Sequence, residues 1–245
     1  MKRVIKIILL TGVLAYFVFA ISSLSRDEDQ RICSGVEILL KDSTNNDYVN
    51  TRFIKNLLEQ AKTPIKGVAL KNINIKNIED HLKKSPYIDS VICYYTPDNL
   101  MCIRISTRMP VIHVMPENGE SYYMDINGNT MPTNVFLLDV CLATGNISKK
   151  YAKEKLLDLA KFINNQTPWD KEIQQIHVRN EKHIELITLT GDHTIILGEP
   201  IDIADKMERL SVFYKEGLDK AGWNKYRTIN LNYADQVVCT KRNKK

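Results

Sequence analysis

The spacing of hydrophobic and polar positions changes several times along the chain, and each change marks an element. Ile7 to Leu24 (IILLTGVLAYFVFAISSL) is a run of 18 uncharged residues behind Lys2, Arg3 and Lys6. As a helix rising about 1.5 Å per residue it covers about 27 Å, close to a bilayer core of about 30 Å. The run has no polar face, so a membrane anchor is predicted. A cleaved signal peptide is the alternative, because Ala20 and Ser22 stand at the spacing a signal peptidase reads. In either case the cationic end, residues 1–6, stays cytoplasmic and residues 26–245 are exported.

Beyond the charged spacer RDEDQR (26–31), GVEILL (Gly35 to Leu40) reads as a short strand, followed by the polar loop KDSTNNDY. Phe53, Ile54, Leu57, Leu58 and Ala61 then recur at helical spacing behind Asn50 and Thr51, both candidate N-caps, and Pro64 blocks continuation. Asn74 caps a second helix carrying Ile75, Ile78 and Leu82. IDSVICYY and LMCIRIST form a hairpin around Pro97, Asp98 and Asn99, which completes a β-α-α-β-β order up to Thr107.

After Pro110 the pattern turns to short strands. VIHVM and SYYMDI flank Glu117-Asn118-Gly119, and Asn127-Gly128 is a hairpin signal. Ala152, Leu156, Leu159, Ala160 and Ile163 make an amphipathic helix capped by Ser148. IQQIHV, HIELITLT and HTIILG are strands, and a helix from Asp202 to near Gly222 turns Ile203, Met207, Leu210 and Tyr214 inward. In TINLNY, Ile229, Leu231 and Tyr233 share one face, and QVVC and a basic tail follow. The predicted class is α+β, a transmembrane helix followed by a β-α-α-β-β module and a mixed β-sheet domain with two packed helices. The boundaries are 1–6, 7–24, 32–107, 108–240 and 241–245.

Charge refines this picture. The formal net charge is +5, but the two termini hold +7 of it, in Lys2, Arg3 and Lys6 and in Lys241, Arg242, Lys244 and Lys245. Residues 7–240 therefore sum to −2, which removes the main support for nucleic-acid binding. Five cysteines, an odd number with no zinc-like spacing, do not make a disulfide framework. Cys93 and Cys102 face each other only if the loop between their strands has an even number of residues. Chemistry-bearing motifs are missing: His81, His113, His177, His183 and His193 have no metal-ligand spacing, and no GxSxG, SxxK, Walker A or dinucleotide fingerprint occurs. Acids such as Asp125, Asp139 and Glu185 are scattered. No catalytic residue, cofactor or metal is predicted.

The order of motifs over about 200 residues resembles the bacterial cell-division family FtsQ/DivIB in its Bacteroidetes-like form. The β-α-α-β-β segment is similar to that family's POTRA domain. IRISTRMPV is similar to a strand followed by acid, Arg, any residue and Pro, with Arg108 and Pro110 fitting and Thr107 departing from the usual Glu. Asp125 and Gly128 match the family hairpin, Thr144-Gly145 its "TG", and Gly198, Lys206 and Leu210 its later pattern, while Asn230 and Asn232 stand where Asp and Arg are common.

The resemblance implies a non-enzymatic scaffold of the division septum. It would be a single-pass protein of the bacterial inner membrane, its periplasmic part holding FtsB/FtsL-type division proteins. Strand addition to an open sheet edge is the physical mode assigned to that binding. The predicted partner-binding stretch is Arg227, Thr228, Ile229, Asn230, Leu231, Asn232, Tyr233 and Ala234, with its backbone as the edge. Two other readings compete: an anchored, exported enzyme acting on the cell wall, and the POTRA region of an outer-membrane transporter. For the latter too little chain remains to build a barrel.

Overall fold

The computed structural model describes residues 9–20, 31–41 and 49–242. Residues 9–20 are helical (α1), and side chains from Leu9 to Phe19 are exposed. The rest of the predicted 7–24 span lies outside the described residues, as do the 1–6 tail, most of the 26–31 spacer, most of the 41–48 loop and residues 243–245. Among the described residues no helix is long and apolar enough to cross a membrane. Contacts divide the chain into two compact units, Met1–Thr107 and Arg108–Lys245.

In the first unit, β1 (Gly35–Leu40), α2 (Thr51–Gln60), α3 (Ile75–Lys83), β2 (Ile88–Tyr95) and β3 (Leu100–Thr107) follow the predicted order. The sheet runs β1-β3-β2, with β1 parallel and β2 antiparallel to the central β3. Local chemistry starts both helices: the side-chain oxygens of Asn50 and Asn74 accept from the N–H groups of Phe53 and Asn77 at 2.9 and 3.0 Å. Ile54, Ile78 and Leu82 from the helices and Met101, Ile103 and Ile105 from β3 are all buried. Each such side chain contributes about 1.5–3 kcal/mol. Cys93 pairs with Ile103 and Tyr94 with Cys102, so the two thiols point to opposite faces of the sheet and do not face each other, and all five cysteines are free.

The second unit is a nine-stranded sheet with helices packed on it. Its strands are β4 (Pro110–Pro116), β5 (Tyr122–Asp125), β6 (Thr130–Pro132), β7 (Leu142–Gly145), β8 (Ile173–Asn180), β9 (His183–Thr188), β10 (Thr194–Gly198), β11 (Tyr226–Asn230) and β12 (Val238–Lys241). They lie in the order β12-β11-β10-β9-β8-β7-β4-β5-β6. The first long helix, α4, begins at the Ser148 cap and runs as α (Lys149–Tyr151), π (Ala152–Leu156) and α (Leu157–Asn165). A single turn, α5, spans Trp169–Glu172. The second long helix, α6, runs Ile203–Phe213, continues as π over Tyr214–Leu218 and ends at Asp219–Ala221. Leu156, Leu159, Ile163, Met207 and Leu210 on the helices pack with Ile112, Val114, Ile176, Leu186, Ile195 and Ile229 on the strands in one core.

Pattern alone did not find β7. It is only four residues long and lies parallel between β4 and β8, with Ala143 fully buried. Its burial does alternate, Ala143 and Gly145 buried and Leu142 and Thr144 half-buried, but four residues, two of them small, are too short a pattern to read. Gly145 sits at φ +108°, where a Cβ would fall 2.1 Å from the Val178 carbonyl oxygen, so only glycine fits this pairing.

Candidate functional site

The predicted stretch 227–234 begins inside the sheet. Thr228, Ile229 and Asn230 pair with Thr194, Ile195 and Ile196 of β10 on one side. On the other side they pair with Thr240, Cys239 and Val238 of β12. The expectation that this backbone is an open edge is therefore corrected: β12 occupies that place, and the edge lies one strand further out. The family resemblance gives TINLNYADQVV as a closing pair of strands, and the edge belongs to the second of that pair, not to the first.

The strand also ends earlier than its alternation predicts. Asn230 turns its side-chain oxygen onto the N–H of Asn232 at 2.9 Å, a local bond that competes with continued pairing. The Leu231 N–H still donates to the Ile196 carbonyl, and Leu231 is buried, but Tyr233 is 50% exposed instead of facing the core. Within the predicted set, Ile229 and Leu231 are core residues. Arg227, Asn232, Tyr233 and Ala234 are exposed, and Thr228 and Asn230 are half-buried on the sheet face opposite the helices.

Two cations of α6 hold the chain on either side of this turn. Lys206, only 6% exposed, donates from Nζ to the carbonyls of Leu197 (3.0 Å) and Glu199 (2.8 Å), fixing the end of β10. Burial, the leading cause, moves its ammonium below the usual lysine range. Arg209 donates from Nη1 to the carbonyls of Tyr233 and Gln236, both at 2.8 Å, and its Nε reaches Asp205 at 3.0 Å. Arg209 thus pins the loop that leads from β11 into β12, a role no sequence motif announced. At the far end of β12, Arg242 pairs with the Asp192 side chain and backbone carbonyl.

At the other end of the sheet Asp125, 1% exposed, closes the β5–β6 turn. Its carboxylate accepts from the N–H groups of Asn127 (2.9 Å) and Asn129 (2.7 Å), from Asn129 Nδ2 (2.9 Å) and from Arg108 Nη1 (3.0 Å). Burial pulls the Asp125 carboxyl upward, but the donors from Asn129, Arg108 and Asn127 outweigh it and leave the group below the ordinary aspartate range. The two motif positions Arg108 and Asp125 are thus brought together as one structural pair. Among the described residues no group of three His, Cys, Asp or Glu side chains converges to hold a metal.

The sequence model of the family described as "FtsQ/DivIB, C-terminal related" matches residues 109–240, more than half of the chain. The chain belongs to that family. A second model, of the POTRA-like domain, matches residues 31–106, which places a POTRA-like domain ahead of the family's C-terminal domain. Membership carries a division-related scaffold role exercised through protein–protein contacts. No curated protein sequence matches the chain.

Proposed function

We propose that this FtsQ/DivIB-family chain is a non-enzymatic divisome scaffold that holds an FtsB- or FtsL-type partner by strand addition to β12. Residues 7–24 anchor it in the inner membrane, and its C-terminal unit lies in the periplasm at the septum. The observation that carries the binding mode is the strand order: β12 terminates the sheet and has no outer neighbour among the described residues. The Arg242 N–H donates inward to the Lys225 carbonyl at 3.0 Å. Alternation along the strand then directs the N–H and C=O groups of Cys239 and Lys241 outward, where they offer a template.

Within the stretch 227–234, buried Ile229 and Leu231 act only by holding β11 in place. Exposed Arg227, Asn232, Tyr233 and Ala234 and half-buried Thr228 and Asn230 supply side-chain contacts beside the added strand. Asn230→Pro would remove an N–H that faces β12, so it breaks the fold's own ladder. Lys241→Pro is the better probe, since it removes an outward donor and leaves the pairing to β11 intact. Full-chain Lys241→Pro is expected to keep its circular-dichroism spectrum and to lose at least about tenfold in capture of the FtsB-type partner, about 1.4 kcal/mol. Undiminished capture by the folded variant would exclude this edge. For the anchor, mass analysis of the membrane-bound protein should return an intact N-terminus, and a mature end near Ser23 would refute it.

A further inference from the structure

The turn that joins β9 to β10 tucks a titratable ring into an aromatic cluster. His193 is 5% exposed, and its Nε2 lies 2.8 Å from the hydroxyl of Tyr214, the residue at which α6 passes from α to π winding. The His193 ring meets Tyr214 edge to face at 5.5 Å and Trp223 at 6.4 Å between centroids, and Trp169 of α5 packs on Tyr214 at 5.7 Å. The other ring nitrogen, Nδ1, is buried with no hydrogen-bond partner among the described residues. Gly191 closes that side, since a Cβ there would fall 2.6 Å from Nδ1. Charged groups reach the ring from three places: Glu172 of α5, Asp192 of the turn and Arg242 just past β12.

A neutral imidazole fits this enclosure and a protonated one does not. An imidazolium carries N–H on both nitrogens, so Nε2 can keep Tyr214 while the Nδ1 proton is held against Gly191 with no acceptor. Burial, the leading cause, moves the group below the ordinary histidine range; Glu172 and Asp192 pull it up and Arg242 pushes it down. The stability that the enclosed neutral ring contributes is therefore complete above the ordinary histidine value of about 6.5. It is lost as pH falls from there towards the lowered folded value. Asp192, one peptide bond away, holds the Arg242 guanidinium on both its carboxylate and its backbone carbonyl. A turn that swings the ring out carries Asp192 with it. We infer that His193 is an acid-released latch: protonation expels its ring from the Tyr214–Trp223 enclosure, and the Asp192–Arg242 clasp at the end of β12 opens with it. The latch concerns the chain's own contacts and does not rest on the function proposed above.

Hydrogen exchange of the full chain in phosphatidylcholine nanodiscs, read by mass spectrometry at pH 7.5 and 5.5 and corrected for intrinsic exchange, tests the latch. One pH unit below about 6.5 favours the opened turn up to about tenfold while the enclosed ring stays neutral. Residues 189–194 and 238–242 are therefore expected to lose about five- to tenfold in protection at pH 5.5, with β4, β5 and β6 unchanged. His193→Phe keeps an aromatic ring in the cluster but takes no proton, and His193→Gln keeps a polar partner for Tyr214; both should abolish the acid response. His113→Phe, at another histidine lowered by burial, should retain it. Arg242→Met should loosen 238–242 at both pH values and leave 189–194 responsive to acid. Equal protection of the parent at the two pH values, a response that survives in either folded His193 variant, a loss spread evenly over the chain, or an Arg242→Met variant with 238–242 still protected would overturn the latch.

Discussion

The two ends of the nine-stranded sheet solve the same problem with opposite charge. At the β6 end a tight turn leaves backbone N–H groups pointing inward, and a carboxylate, Asp125, collects them. At the β12 end the chain leaving β10 and the connection between β11 and β12 both leave carbonyls unbonded, and two cations, Lys206 and Arg209, collect them, one at each place. The ends also differ as edges. β6 is three residues long and closes with Pro132, which has no N–H to offer, whereas β12 has four residues and no proline. Both strands are outermost, but proline removes a donor from β6, whereas β12 keeps all of its own, as the proposed strand addition requires.

If the carboxylate at the β6 end holds up the fold itself, removing it should have the largest effect. Asp125→Ala leaves Arg108 and two turn N–H groups without their acceptor and is expected to cost about 3–4 kcal/mol in denaturant unfolding. Because the folded-state carboxyl lies below its ordinary value, its contribution is present above the ordinary aspartate range. It is lost as pH falls through the lowered value. A parent whose stability is flat through that acid window would break this half of the comparison.

A smaller and more local effect is expected at the other end. Arg209→Met frees carbonyls that are close to solvent, so water replaces much of what is lost, and about 1–2 kcal/mol is expected. Hydrogen exchange should speed up across 231–241 and leave β4, β5 and β6 unchanged; a uniform increase would show that the two ends are not independent. The mildest test is Gly198→Ala. Gly198 has φ +75°, and a Cβ there would lie 2.2 Å from Asn232 Oδ1, a side-chain atom that can move aside. About 1 kcal/mol is expected from the left-handed backbone, with thermal unfolding as the readout.

What the sequence made legible was local. The caps at Asn50, Asn74 and Ser148, the β2–β3 hairpin and the Asn127-Gly128 turn each depend on residues within four positions of one another. The order of strands does not. Whether β11 or β12 is outermost depends on where a strand eight residues later docks, and the pattern of TINLNY is the same in either position. Tyr233 was misread because period two was extended past Asn230, whose side chain ends the strand. Arg209 was hidden for a related reason: its acceptors are carbonyls 22 to 27 residues away, which any residue type could supply.

The cysteines have a consequence in reaction kinetics. Disulfide exchange and oxidation proceed through the thiolate, and burial pushes both Cys93 and Cys141 up to about 12. At neutral pH each is then ionised about one part in 10⁵, against a few per cent for an ordinary thiol. An environment that oxidises exposed thiols rapidly would meet almost no nucleophile at these two sites. The fold can thus keep them unbridged by withholding the reactive form, with no reductant needed to maintain them.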